Sequence, residues 1–421
     1  MSTQHGIKGE SPAQIAADLA DERLIRTDGL RGAVMAFGIR VRSGDLGSLP
    51  VVVGLVLIAV VFQVLNPNFL SANNLVNLTL QAAPIGVIAI GVVLVLLVGE
   101  LDLSVGSVSG LASAILGVCM VRLQLPILFA VVVAIVAGAL IGALYGFLFT
   151  RFGVPSFIIT LAGLLGFLGL QLALLGPEGS INIPFSSWIV QFANTWFLPP
   201  WAVYVLIGIA ALAVLARDLA RDRRRVRAGL QTHPRSVTVV KVVALAVVLG
   251  AAAWYLSTDR GTGVMPVIFV LLVVLMAYLL RRTRWGRSIY AVGGNVEAAR
   301  RAGIRVRGLY LSAFVLCSTF AVLGGLFAAA RLGSATTTSG AADTNLNAIA
   351  AAVIGGTSLF GGRGSAWSAL LGVLVISAIT SGLTLLNLDS SVRFMITGAV
   401  LLLAVIVDSL SRKSRASHGQ G

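Results

Sequence analysis

The sequence predicts an all-α integral membrane protein, a polytopic helical bundle of about twelve spans. Three observations predict it. Of the 421 residues, 57% belong to the set AVILMFWYC, and only 11% are charged, against about 25% in soluble domains. The apolar residues fall in continuous runs near the roughly 20 residues that a helix needs to cross ~30 Å of hydrocarbon. The basic residues collect in alternate loops rather than throughout the chain. A formal charge of +15 would point to nucleic acid in a soluble chain, but here its placement gives it another cause.

The runs cover approximately 49–65, 75–98, 103–121, 126–150, 156–175, 201–216, 238–256, 264–280, 309–330, 346–360, 366–386 and 393–410. None alternates with period two, which excludes a barrel. With the N-terminus in the cytoplasm, 27 of the 31 Lys and Arg residues fall on the inner side. Only Arg122, Arg260, Arg331 and Arg393 fall outside. That bias orients the bundle with both termini in the cytoplasm and accounts for the excess charge without nucleic acid.

Residues 1–48 read as a cytoplasmic tail, too long and too mixed in charge for a cleavable leader. Within it, Ser11, Pro12 and Gln14 form a capping-box pattern that starts an interfacial helix over about 12–25. Residues 49–410 form the transmembrane domain, and 411–421 a second cytoplasmic tail. Within the domain, about 201–256 is a hairpin whose inner turn carries the basic run Arg217–Arg227.

Catalytic chemistry is scarce. His5, His233 and His418 all lie outside the spans, which leaves no intramembrane relay or metal cluster. Cys119 and Cys317 sit within apolar runs and read as packing residues rather than a disulfide. Lys8, Lys241 and Lys413 follow Ile7, Val240 and Arg412, so no P-loop is present. The chain reads as a non-enzyme that binds no metal or cofactor; any ATP it uses is bound by another polypeptide.

Four segments depart from plain lipid-facing helix. Residues 99–107 place Glu100 and Asp102 at the end of a long apolar run, where carboxylates are costly unless they face water, protein or a helix end. Asp102 and Ser104 suit a cap for the next helix, or a substrate path. Pro155 starts a helix on which Ser156 and Thr160, four apart, share a face, either as interhelical hydrogen bonds or as pathway hydroxyls. In the basic stretch 281–311, Asn295 suits an N-cap, Glu297 the first turn and Gly303 the C-terminal stop of a short helix. Such a helix on the inner face is a docking element for a cytoplasmic partner. Finally, residues 345–364 form a glycine-broken apolar run that loosely mirrors the break at 99–107, the pattern of an interrupted transport helix.

These stretches read ELDLSVGS over 100–107, VPSFIITLAG over 154–163, GGNVEAAR over 293–300 and AIAAAVIGGTS over 348–358. Together, over about residues 70–410, they resemble the permease subunit of bacterial sugar ABC importers of the ribose/xylose/galactose class. Within that class the chain is most similar to the xylose type, which implies a ten-span permease core plus one extra hairpin at about 201–256; residues 224–231 and 259–261 look like their xylose-type counterparts. The resemblance implies a bacterial inner-membrane importer, a homodimer of permeases, a cytoplasmic ATPase holding ATP and Mg²⁺, and an extracytoplasmic sugar-binding protein. It assigns 294–303 as the coupling helix, with Gly294, Asn295, Glu297, Arg300, Arg301 and Gly303 meeting the ATPase. Candidate pathway residues are Glu100, Asp102, Ser104, Ser156, Thr160, Asn345 and Asn347.

At two places the chain departs from the pattern. Asn345, Leu346 and Asn347 stand where relatives often carry Glu-Leu-Asp. Thr380, Ser381 and Gly382 stand where they often carry Asp-Asn-Gly or Asn-Asn-Gly. The expected function is inward movement of a monosaccharide, D-xylose or a related sugar, by alternating access. The same architecture serves nucleosides or branched-chain amino acids, and an ion-coupled secondary transporter is the alternative of a different class.

Overall fold

A computed structural model describes residues 49–227 and 235–389, with scattered positions between 391 and 402. The helix expected over 12–25, both tails and nearly all of the run 393–410 lie outside the described residues.

The helix α2 (Ala72–Leu97) is the axis of the larger unit. From Ala82 onward its sequence is apolar on every side, which suits burial all round, and every residue from Ala89 to Leu97 is buried. It packs against α9 (Val264–Arg282), α12 (Val306–Leu332), α13 (Ala342–Ile354) and α14 (Ala366–Leu385). The helix α12 also lies along α3 (Val105–Gly117) and α4 (Ile127–Phe152). Gly138, Gly142 and Gly146 line the α4 side of that contact; a Cβ at Gly142 would fall 2.6 Å from Val315 Cα. Small residues at this spacing let two backbones approach, the main source of helix association where lipid is as apolar as the core.

Outside this centre, α1 (Leu49–Leu65) packs on α14 and α5 (Ser156–Leu175) on α3. The helix α3 runs on into a π turn, Val118–Arg122. Two three-residue strands, β1 (Ser180–Asn182) and β2 (Ser334–Thr336), pair antiparallel with Ile181 opposite Ala335, and a short α6 (Trp188–Asn194) follows β1. The strands join the loops after α5 and α12, a tie too short to leave a periodic pattern in the sequence.

The second unit is the hairpin of α7 (Pro200–Arg227) and α8 (Arg235–Leu256). The apolar stretches of both helices are largely exposed. The helix α7 continues past the expected limit of 216 through the whole arginine run to Arg227. Lys241 on α8 and Arg217 both pair with Asp218 at 3.2 Å.

Among the described residues, nine helices are long and apolar enough to cross a membrane: α2, α3 with its π turn, α4, α5, α7, α8, α9, α12 and α14. The run expected at 49–65 is a 17-residue helix, and that at 346–360 is a 13-residue helix, α13, beginning earlier and ending at the glycines.

Candidate functional site: two helix breaks that meet

The chain leaves α2 through Gly99, whose φ of 83° reverses its direction. Residues 100–104 then run alongside the first turns of α5. Leu101 N–H donates to Ser156 Oγ at 3.4 Å, and Leu103 N–H to Thr160 Oγ1 at 3.1 Å. A non-helical backbone inside a membrane protein must find such partners, and the shared face of Ser156 and Thr160 supplies them. Asp102 Oδ1 accepts from Ser104 N–H at 2.8 Å and from Ser104 Oγ at 2.7 Å. Tyr145 on α4 donates to Ser104 Oγ at 2.8 Å. Asp102 is 3% exposed, and Cys317 of α12 lies beside it. Ser104 does occupy the N-cap position of α3, but its hydroxyl makes no cap bond because it is committed to Asp102. Glu100 sits lower, half-buried; burial raises its carboxyl above the usual range, against an opposing hydrogen bond with Ser156.

The second break follows α12. Gly333, at φ 64°, ends that helix, β2 follows, and the chain turns inward before α13 starts. Gln171 of α5 holds this turn: its Nε2 donates to the carbonyls of Thr336 and Ser339, both at 2.9 Å. Gly106 and Gly110 of α3 abut the turn; a Cβ at Gly106 would fall 2.8 Å from the Gly340 carbonyl oxygen. The first turn of α13 then reaches across to the first break. Asn345 Nδ2 donates to the Leu103 carbonyl at 2.8 Å. The N-terminal turns of α3 and α13 therefore lie side by side, each preceded by non-helical chain.

The structure thus brings together Asp102, Ser104, Ser156, Thr160 and Asn345, with Glu100 at the edge of the group. Asn347 does not join them: it is half-buried, and two residues along a helix turn a side chain by about 200° from Asn345. Gln171 was not among the expected residues, although a lone amide within an otherwise apolar run is its signal. Asp102 Oδ2, Gln171 Oε1, Asn345 Oδ1 and Ser318 Oγ are buried without a hydrogen-bond partner, so polar capacity remains in and near the junction. Among the described residues, no group of three or more His, Cys, Asp or Glu is placed to hold a metal ion.

Near the C-terminal end of α2, where Gly293 adjoins Leu97, lie α10 (Arg284–Gly294) and α11 (Val296–Arg301). Asn295 caps α11, its Oδ1 accepting from Ala298 N–H at 2.9 Å; Glu297 lies in the first turn, and Gly303 follows the end with φ 78°. Glu297 and Arg300 pair at 2.7 Å, and both are well exposed. The preceding α10 was not expected. Its signal was a Thr283 cap before Trp285, Ile289 and Val292, spaced to put one apolar face on the bundle.

A family model described as the permease component of the branched-chain amino acid transport system matches residues 74–405. The chain belongs to this permease family. The permease is 33% identical over 345 residues to the xylose transport system permease protein XylH of Escherichia coli K12, covering 82% of this chain and 87% of that one. It is 32% identical over 365 residues to the ribose import permease protein RbsC of Bacillus subtilis, covering 87% and 94%. It is 33% identical over 356 residues to the RbsC of Escherichia coli K12, covering 84% and 91%. No solved structure matches the permease. It is a transport subunit rather than an enzyme, and its long apolar helices make it a polytopic inner-membrane protein.

Proposed function

We propose that the permease is the membrane-spanning subunit of an ATP-driven importer for a monosaccharide, D-xylose or a related sugar. The observation that carries the reading is the junction of two helix breaks lined by hydroxyl and amide groups, joined by Asn345 and the Leu103 carbonyl. Relatives named for xylose and ribose transport, aligned over 87% and 94% of their own length, support the substrate class. Interrupted helices supply backbone and side-chain polar groups at a transport site without exposing them to lipid. A polyol suits such groups, because wrong stereochemistry leaves buried donors and acceptors unpaired.

In this reading the chain crosses the membrane twelve times, and the end bearing α10 and α11 faces the cytoplasm. Glu100, Asp102, Ser104, Ser156, Thr160, Asn345 and Asn347 line or shape the path. A cytoplasmic ATPase carrying ATP and Mg²⁺ docks on α11 through Asn295, Glu297, Arg300 and Arg301. Two copies of the permease enclose the pathway, and an extracytoplasmic binding protein delivers the sugar. Closure of the ATPase pair shifts α11 and reorients the helices about the junction, so the site opens to one side at a time.

A second substrate class is a branched-chain amino acid. The description of the matching family favours it, as do the adjoining N-termini of α3 and α13, since helix N-termini suit a carboxylate. A panel of labelled pentoses, hexoses and amino acids, offered to liposomes holding permease, ATPase and cognate binding protein, decides between them. The proposal requires ATP-dependent uptake of a sugar, and it fails if only amino acids enter.

A further inference from the structure

We infer that Gly293 is a positioning residue that passes movement of the docking helix directly to the first helix break and, by way of α13, to the second. The inference rests on α11 being the element that meets the ATPase. Gly293 lies one residue before the end of α10, and Asn295 is at once the C-cap of α10 and the N-cap of α11. No linker separates the two helices, so a push on α11 is carried by α10.

Three backbones meet at Gly293 with no side chain between them. A Cβ there would overlap the Leu97 carbonyl oxygen, and it would lie 2.5 Å from Gly362 N. A Cβ at Gly361 would fall 2.7 Å from the Gly293 carbonyl oxygen and 2.9 Å from Gly99 Cα. One at Gly362 would fall 2.9 Å from Gly294 Cα. Gly362 N–H donates to the Leu97 carbonyl at 2.9 Å, closing the third side. Leu97 and Gly99 lead into the first break. Gly361 and Gly362 belong to the loop that follows α13, and the second break lies just before the first turn of that helix. Tyr290 on α10 adds a tether, its hydroxyl donating to the Gly364 carbonyl at 3.0 Å.

The backbone conformation does not call for glycine at 293. Its φ is not positive, unlike those of Gly99, Gly361 and Gly362, and alanine there would favour the helix by roughly 1 kcal/mol. Close approach is the remaining reason for the missing side chain. A backbone-to-backbone contact has no rotamer to absorb a displacement, so close-packed neighbours move together or part.

The test uses the full complex in liposomes, measuring ATP hydrolysed and labelled sugar taken up by the same preparation. Gly293→Ala is expected to keep most of the stimulated hydrolysis and to raise the ATP consumed per sugar by about tenfold, a typical coupling loss. Tyr290→Phe loosens the same contact without adding an atom, so it cannot clash; it is expected to raise the ratio by about two- to threefold. Gly308→Ala, where an added Cβ meets nothing within 4 Å, is expected to match the parent. Unchanged ratios in Gly293→Ala and Tyr290→Phe, or parallel loss of hydrolysis and uptake, overturn the inference. A parent complex without ATP-dependent uptake overturns instead the importer reading on which it rests.

Discussion

The side-chain amide of Asn345 donates to the backbone carbonyl of Leu103 across 242 residues of sequence, at 2.8 Å. That one bond joins the two places where the helical core is interrupted. Replacing Asn345 with leucine removes the donor and leaves the Leu103 carbonyl without it. Hydrogen bonds between membrane helices contribute about 0.6 kcal/mol on average and about 2 at most. Thermal unfolding in detergent is expected to show a loss in that range for Asn345→Leu and a smaller one for Asn347→Leu, which breaks no bond to Leu103. Uptake is expected to fall for Asn345→Leu by more than stability alone explains, because the junction is the proposed site.

Asp102 and Asp259 are a contrasting pair. Asp102 is buried and accepts both the N–H and the hydroxyl of Ser104. Asp259 lies among exposed groups. Desolvation is the largest single influence there and raises its carboxyl, but hydrogen bonds from Arg260 and Asn73 and the Arg260 charge together outweigh it, so the carboxyl sits below the usual range. Asp102→Ala strands two buried donors, at about 1–3 kcal/mol for each. It is expected to lower both folded yield and uptake severely, while Asp259→Ala stays near the parent in uptake and melting temperature. Equal, unimpaired uptake by the two variants would reduce Asp102 to a local role.

Gln171 holds the second break through two carbonyls, Thr336 and Ser339. Gln171→Glu keeps the shape but loses the donor, and it puts a carboxyl against carbonyl oxygens. It is expected to destabilise more than Gln171→Leu, which costs about 1–2 kcal/mol by loss of the two bonds. Comparing the two melting temperatures checks the order; the reverse order would mean that the amide fills space rather than holding the turn.

The exposed pair Glu297 and Arg300 contributes at most about 1 kcal/mol to stability. Glu297→Lys should therefore leave membrane insertion and melting unchanged while lowering stimulated ATP hydrolysis in the assembled complex. Gly303→Pro is expected to lower stimulation more strongly with membrane insertion unchanged, since its φ of 78° is closed to proline and the end of α11 is disturbed. Normal stimulation in both would remove α11 from the docking surface.

Much of this was legible in the chain. Long apolar runs and the inner-side arginines give a helical membrane bundle because lipid permits few alternatives for the backbone. Asn295, Glu297 and Gly303 mark α11 because helix ends have local rules. The sequence likens 99–107 to the glycine run that follows α13, whereas the break that meets it lies before α13, and nothing near Asn345 signals that its partner is the carbonyl of Leu103. Gln171 and Tyr145 stand out in the sequence only as lone polar residues in apolar helices; their partners lie on other elements and leave no local sign. The Gly293 contact is a property of three distant segments, visible only once they are folded together.

The central claim is that this chain moves a sugar at the cost of ATP hydrolysed by a partner. The most direct measurement offers labelled D-xylose, ribose and leucine to liposomes that contain permease, ATPase and binding protein. ATP is sealed on the side exposing α11, and a parallel set carries an ion gradient instead. The account predicts saturable sugar uptake with ATP and none with the gradient alone. Uptake driven by the gradient without ATP, or of leucine alone, would contradict it.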